Sequence, residues 1–137
     1  IFTDPIMMCG PIIAEHLSVP SVYFLRGFSC GFDLEATRCP QPPSYVPRLF
    51  INNSDSMTFA QRVKNMLVWL LESVYCKPIF APFEELASEI LQKKVTTVEL
   101  LSRASVWLMR YDFVFEFPRP VMPNMVFIGG IHCHQKK

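Results

Sequence analysis

The residue best suited to chemistry in this sequence is Asp4, a carboxylate that follows an apolar segment and directly precedes Pro5. Residues 1–3 are typical of the end of a β-strand, and Pro5 fixes a turn after it. Ligands of parallel α/β sheets bind beyond the carboxyl ends of the strands, so a carboxylate there is placed to assist a proton transfer. The same residues also fit a helix cap, and taken alone they favour the cap.

A second candidate is the segment Arg26-Gly27-Phe28, which follows the β-branched and aromatic run from Val19 to Leu25. Such a run predicts a buried strand, so the segment lies at a carboxyl end. One interpretation is the edge of an apolar ligand pocket, with Phe28 as a wall and Gly27 allowing close approach. The other is an ordinary strand exit with a glycine turn.

Asn52 begins the sequon Asn52-Asn53-Ser54 in a polar stretch that predicts a surface loop. It is therefore a candidate for N-glycosylation in a secreted or luminal protein.

Cysteine and histidine patterns predict neither a metal site nor a disulfide scaffold. The five cysteines are odd in number and have no CxxC spacing. His132-Cys133-His134 looks like a ligand cluster, but consecutive residues rarely all face one ion, and no second cluster is evident. We interpret it as a solvated tail.

The elements that would position these residues alternate between strand and helix. A strand, a helix over 7–17 and a strand over 19–25 predict a βαβ unit with a right-handed crossover. Apolar spacing predicts a helix over 57–75, capped by Asp55 or Ser56 and ended by Pro78, and another over 82–93. Thr96-x-x-Glu99 fits a capping box for a third helix. Residues 27–47 are predicted to be a long loop, and further strands are predicted at 105–109, 113–115 and 125–128.

The helix over 57–75 has two interpretations. Trp69 at mid-length fits a helix lying on a membrane surface, but Arg62 and Lys64 are the only cations of its polar face. We therefore favour packing against a core. No uninterrupted apolar run reaches the roughly 18 residues of a membrane span.

Composition fits one domain or part of one: the chain has 137 residues, of which 50% are hydrophobic and 18% charged. The formal net charge of +1 gives no electrostatic case for binding nucleic acid.

Several segments, taken in order, resemble family 1 of the vertebrate UDP-glucuronosyltransferases. The longest is the run from Arg110 to Gly130, with Pro118-Arg119-Pro120 and Met122-Pro123-Asn124 inside it. The others are Phe2-Thr3-Asp4-Pro5, Leu17-Ser18-Val19-Pro20-Ser21-Val22-Tyr23, Arg26-Gly27-Phe28, Ser44-Tyr45-Val46-Pro47-Arg48, Met57-Thr58-Phe59-Ala60-Gln61-Arg62-Val63 and Glu84-Glu85-Leu86-Ala87.

This resemblance implies an α/β, Rossmann-like parallel sheet with flanking helices, part of the acceptor-binding N-terminal half of a GT-B glycosyltransferase. Residues 1–137 would be a single incomplete domain, with the donor-binding domain outside it. The parent enzyme would transfer glucuronic acid from UDP-glucuronate to small lipophilic acceptors, with inversion and without a further cofactor. It would be anchored in the endoplasmic reticulum membrane, face the lumen, and form homo- or hetero-oligomers.

For Asp4, the resemblance favours the catalytic interpretation over the helix cap. In the family, the matching aspartate orients a histidine that takes the proton from the acceptor hydroxyl. No histidine of this chain fits that base, so we expect the isolated chain to be inactive. The alternatives are a non-catalytic module that binds lipophiles or a partner, and a transferase of the same fold that uses another UDP-sugar.

Overall fold

The structure is a computed structural model that describes residues 1–27, 30–48, 51–112, 114, 116–131 and 133. Its centre is a parallel sheet of four strands. The strands lie side by side in chain order, as β1 (Phe2–Thr3), β2 (Ser21–Leu25), β3 (Ala104–Met109) and β4 (Met125–Phe127). The predicted α/β fold with a parallel sheet is confirmed.

The helices lie in the connections between the first three strands. Helix α1 (Cys9–His16) joins β1 to β2, and α2 (Phe32–Thr37), α3 (Phe59–Leu91) and α4 (Thr97–Leu101) lie between β2 and β3. A side chain at Gly10 would collide with Thr3, so glycine allows α1 to lie directly against β1.

The register of the sheet defines two faces, because paired residues of parallel strands point the same way. We call one the covered face; its side chains are buried under the helices, and they include Tyr23, Leu25, Trp107, Met109 and Met125. We call the other the open face; its side chains are half-buried or exposed, and they are Phe2, Val22, Phe24, Val106, Leu108 and Val126.

The covered face is held to the helices by large aromatic side chains. Tyr23 and Trp107 pack edge to face with ring centroids 5.0 Å apart, and the Tyr23 hydroxyl donates to the Leu100 carbonyl at 3.3 Å. Burial raises the pKa of Tyr23. Phe32 of α2 and Phe80 of α3 form a second edge-to-face pair at 5.0 Å. The core therefore lies between the sheet and the helices.

Helix α3 corrects the prediction that Pro78 ends one helix and that a separate helix begins at Pro82. Both prolines lie inside one helix of 33 residues. Each proline removes one backbone N–H from the helical ladder, at a cost of about 3 kcal/mol. Burial of Phe80 and Ala87 in the core accompanies that interruption, so tertiary packing outweighs the local preference.

The start of α3 and the region before it also differ from the prediction. Thr58, rather than Asp55 or Ser56, is the N-cap and forms a capping box with Gln61. The predicted loop over 27–47 contains the short helix α2, which Gly31 begins in the left-handed conformation with φ of 71°. The predicted capping box of Thr96 and Glu99 is confirmed at α4. The strand predicted at 113–115 falls largely on Phe113 and Phe115, outside the described residues, and Val114 lies in a turn.

The prediction that α3 packs against a core is wrong for most of the helix. Many of its large apolar side chains are exposed, among them Phe59, Met66, Leu67, Trp69, Leu70, Val74, Tyr75 and Ile79. By length and composition alone, α3 could cross a membrane. Of the 18-residue stretch that meets this test, 12% is buried. The buried Asn65 and Cys76 are held by other parts of the chain, so α3 has one attached side and a wide apolar surface.

Candidate functional site

The carboxyl ends of the four strands meet at one edge of the sheet, since all four strands are parallel. Asp4 follows β1, Arg26 and Gly27 follow β2, and Tyr111 lies two residues after β3. The structure thus places three of the predicted site residues, Asp4, Arg26 and Gly27, on neighbouring strand ends.

Asp4 is held by two sets of donors. Its Oδ1 accepts from the Ile6 backbone N–H at 3.0 Å, which closes a turn over Pro5. Its Oδ2 accepts from Nε of Arg26 at 2.8 Å, and Arg26 Nη2 forms an ion pair with the same oxygen at 2.8 Å. The side chain is 17% exposed. The helix-cap interpretation is wrong, because the N-cap of α1 is Met8, which makes no side-chain cap bond.

Arg26 and Gly27 lie on the β2 side of the same edge. The Arg26 side chain is 59% exposed while it grips Asp4. Apart from its chain neighbours, no described atom lies within 4 Å of the position that a Gly27 side chain would take. Phe28, the third predicted pocket residue, lies outside the described residues.

Tyr111 and Arg119 extend the edge past β3, and the sequence analysis did not find them. The Tyr111 hydroxyl donates to the Gly27 carbonyl at 3.0 Å. The Arg119 guanidinium lies 4.7 Å from the Tyr111 ring centroid and 5.8 Å from that of Phe127. Burial is the main cause that raises the pKa of Tyr111 to about 12, and the Asp33 carboxylate raises it further. Both residues lie in the run 110–130, which carries the family resemblance but no local pattern that predicts a site.

A cavity of about 530 Å³ is lined in part by Cys30, which follows Gly27 by three positions in the chain. Its wall mixes apolar and charged side chains, and includes Phe32, Leu34, Arg38, Gln41, Arg48, Trp69 and Glu72. The buried Gln41 Oε1 accepts no hydrogen bond from the described residues. This space can hold a small molecule with an apolar body and a few polar groups.

Arg48 and Glu72 form the charged part of that wall. Arg48 Nη1 lies 3.7 Å from Glu72 Oε2, and the two side chains are 10% and 13% exposed. Burial lowers the pKa of Arg48 and raises that of Glu72, in each case more than the partner's charge restores it. The pair is therefore poorly solvated, and polar groups of a ligand could replace part of the hydration that both charges have lost.

A disulfide between Cys30 and Cys76 ties the start of the cavity to the middle of α3. It joins positions 46 residues apart in the chain, and the sequence analysis did not predict it. Odd count and irregular spacing describe the whole set of cysteines and carry no information on one pair. The described residues include three free cysteines, Cys9, Cys39 and Cys133.

Asn52 is exposed in an irregular segment before α3, as the sequon predicted. Among the described residues no group of three or more His, Cys, Asp or Glu side chains could hold a metal ion. Of the tail residues interpreted as solvated, His132 and His134 lie outside the described residues and Cys133 is exposed.

Comparison of the sequence with known proteins identifies a family that the chain matches over its whole length. The model of the family described as UDP-glucoronosyl and UDP-glucosyl transferase matches residues 1–137. UDP-glucuronosyltransferase 1A1 of Rattus norvegicus is 58% identical over all 137 residues, which cover 26% of that protein. UDP-glucuronosyltransferase 1A3 of Homo sapiens is 54% identical over the same 137 residues and 26% of its own length. The chain spans about a quarter of the length of the curated relatives that it matches. No solved structure matches it.

Proposed function

Since the chain belongs to the UDP-glucuronosyl and UDP-glucosyl transferase family, we propose that it forms part of the acceptor-binding half of a UDP-glucuronosyltransferase. The parent protein transfers glucuronic acid from UDP-glucuronate to small lipophilic acceptors. The observation that carries this proposal is Asp4, a carboxylate with fixed orientation at the ligand edge of a parallel sheet. Its supporting relatives, at 54% to 58% identity, are named UDP-glucuronosyltransferases.

The proposed reaction is a displacement at the anomeric carbon of the sugar. The acceptor hydroxyl oxygen forms the new bond with that carbon while the bond to UDP breaks, and the configuration inverts. The hydroxyl proton passes to a histidine that the family resemblance places outside this chain. Asp4 orients that imidazole and stabilises its charged form, as carboxylates do for other histidine bases. UDP-glucuronate is a co-substrate read by a separate donor domain, and no further cofactor is needed.

The acceptor lies in this proposal beside Gly27 and reaches toward the cavity that begins at Cys30. The open space at Gly27 and the apolar walls of Phe32 and Trp69 support it. Phe28 remains a predicted wall residue. Arg26 was also predicted as a pocket residue, but its guanidinium contacts Asp4, so we do not assign it to the acceptor pocket.

We place the parent protein on the luminal side of the endoplasmic reticulum membrane. The Cys30–Cys76 disulfide supports an oxidising compartment, and the exposed Asn52 sequon suits a compartment with N-glycosylation. The exposed apolar side chains of α3 suit contact with a membrane surface or with another copy of the protein. Digestion of the expressed protein with an N-glycosidase should increase its gel mobility, and Asn52→Gln should remove that part of the shift; an unchanged shift would exclude Asn52 as a glycan site.

The decisive experiment replaces Asp4 in the full-length parent protein. Asp4→Asn keeps the shape of the side chain but removes the charge, and we expect turnover of a phenol with UDP-glucuronate to fall by about 10³- to 10⁴-fold. Asp112→Asn is the matched control, because Asp112 Oδ1 accepts from the Val114 N–H at 2.9 Å in the same kind of turn after β3. Activity of Asp4→Asn within a few-fold of Asp112→Asn would reject the catalytic role.

The two alternatives make different predictions in the same assay. A non-catalytic binding module would bind the phenol without turnover in the wild-type full-length protein. A transferase for another sugar would leave UDP-glucuronate unused but consume a different UDP-sugar, such as UDP-glucose. The names of the relatives favour glucuronate.

A further inference from the structure

Arg26 makes a contact that the family resemblance did not predict. Both Nε and Nη2 of its guanidinium reach the same oxygen, Oδ2 of Asp4, at 2.8 Å. The two residues are 22 positions apart in the chain and meet because β1 and β2 pair side by side. The contact therefore links the carboxyl ends of two neighbouring strands.

The two oxygens of the Asp4 carboxylate make different contacts. A carboxylate has about four lone-pair positions, two on each oxygen. On Asp4 the Arg26 Nε–H donates to Oδ2, with Nη2 in ion-pair contact with the same oxygen, and the Ile6 N–H occupies one position of Oδ1. The Arg26 guanidinium thus lies against Oδ2, and among the described residues no donor occupies the second position of Oδ1. An imidazole N–H that approaches Asp4 is thereby directed to one oxygen.

We propose that Arg26 is a positioning residue for the transfer reaction: it holds the Asp4 carboxylate so that Oδ1 faces the histidine base. This inference rests on the proposed function and assigns Arg26 a part in the chemistry in place of its predicted part in the acceptor pocket. An arginine suits the task, because its guanidinium is always charged and its planar fork presents two N–H groups at fixed geometry.

A substitution at Arg26 should therefore change kcat more than it changes KM for the phenol. We expect Arg26→Ala in the full-length parent protein to lower kcat by about 10- to 100-fold, as a misplaced catalytic group does. KM for the phenol should stay within about twofold, because Arg26 does not contact the acceptor in this arrangement. Arg26→Lys, which keeps one charged donor, should recover part of kcat, and added guanidinium ion should partly rescue Arg26→Ala.

Arg103→Ala is the matched control. Arg103 is also an exposed arginine paired with a carboxylate, with its side chain 61% exposed and its Nε 3.3 Å from Glu15 Oε2, away from the strand ends. We expect kcat of Arg103→Ala to equal that of wild type. Equal kcat losses in the two variants, or a loss at Arg26 that appears in KM alone, would overturn the inference.

A double variant tests whether Arg26 acts through Asp4. If it does, adding Arg26→Ala to Asp4→Asn lowers the residual rate no further. A further 10-fold loss in the double variant would show an independent role and overturn the inference. The outcome stays separate from the proposed function: wild-type turnover with an inactive Asp4→Asn supports that function whatever Arg26→Ala does, and a wild type without turnover rejects it.

Discussion

Trp107 and Leu108 are neighbours on β3, yet Trp107 on the covered face is fully buried while Leu108 on the open face is only half-buried. The contrast extends across the sheet. Leu25 is 0% exposed on the covered face, whereas Phe2 and Val126 are 66% and 44% exposed on the open face. The two faces carry equally apolar side chains, so the difference lies in what packs against them.

Apolar side chains on both faces are typical of a parallel sheet that is covered on both sides. The described helices cover one side of this sheet. The open face therefore has the composition of an interior face, while its side chains stay half-buried or exposed among the described residues. That residues 1–137 form an incomplete domain stays a prediction.

The strongest test of this contrast compares truncations at the two neighbours. Trp107→Ala should lower the free energy of unfolding by about 3–5 kcal/mol, because it leaves a large cavity in the covered core. Leu108→Ala should cost about 1 kcal/mol, because its half-exposed side chain leaves little empty space. Urea denaturation followed by circular dichroism measures both. Equal costs would mean that the open face is as well packed as the covered one.

A smaller effect is expected from the disulfide that helps hold the helical layer on the covered face. Replacing Cys30 and Cys76 by alanine should lower the free energy of unfolding by about 2–4 kcal/mol, since the bond closes a loop of 46 residues in the unfolded chain. Cys9→Ala is the control, because Cys9 is free and exposed. A loss as large in the control would point to the alanine substitutions themselves.

The smallest predicted effect is the pH dependence of the free energy of unfolding that comes from Tyr111, at the carboxyl ends of the strands. The pKa of Tyr111 rises from 10.0 to about 12 on folding. The native state therefore holds the phenol proton more tightly than the unfolded state does. The contribution of Tyr111 to the free energy of unfolding is complete below pH 10 and is lost as the pH rises through 12. After discounting for partial exposure, this contribution is about 1–2 kcal/mol.

Tyr111→Phe should accordingly flatten the fall in stability between pH 10 and 12, at the cost of the bond to the Gly27 carbonyl at neutral pH. Tyr75→Phe, at a tyrosine that is 71% exposed, should keep the wild-type slope. Thermal melts across this pH range would show the difference. An unchanged slope in Tyr111→Phe would assign the alkaline loss to other groups, including the buried Tyr23.

Local patterns were enough to predict most of the sheet and the caps that depend on nearby residues. The β-branched run before Arg26 became β2, and the Thr96–Glu99 spacing became the capping box of α4. The positions of Asp4 and Arg26 at strand ends were predictable, because both residues follow apolar runs that became strands of one parallel sheet. Their direct contact was not predicted, because it requires knowing that β1 and β2 are neighbours.

The remaining differences come from long-range packing that no local pattern carries. Pro78 and Pro82 stay helical because the side chains beside them are anchored, Cys76 to Cys30 and Phe80 to Phe32. The exposure of α3 was missed because its apolar side chains suit a core and an unpaired surface equally well.

The Cys30–Cys76 bond also has a consequence for the speed of folding. Val22 of β2 pairs with Val106 of β3, so the central contact of the sheet must close a loop of about 80 residues. The bond lies within that loop and spans 46 of its residues, which roughly halves the length that must close. The entropy cost of closure falls by about 0.6 kcal/mol, so strand pairing should be about threefold faster once the bond has formed. Stopped-flow refolding of the oxidised and reduced chains would show whether oxidation before sheet formation hastens the native fold.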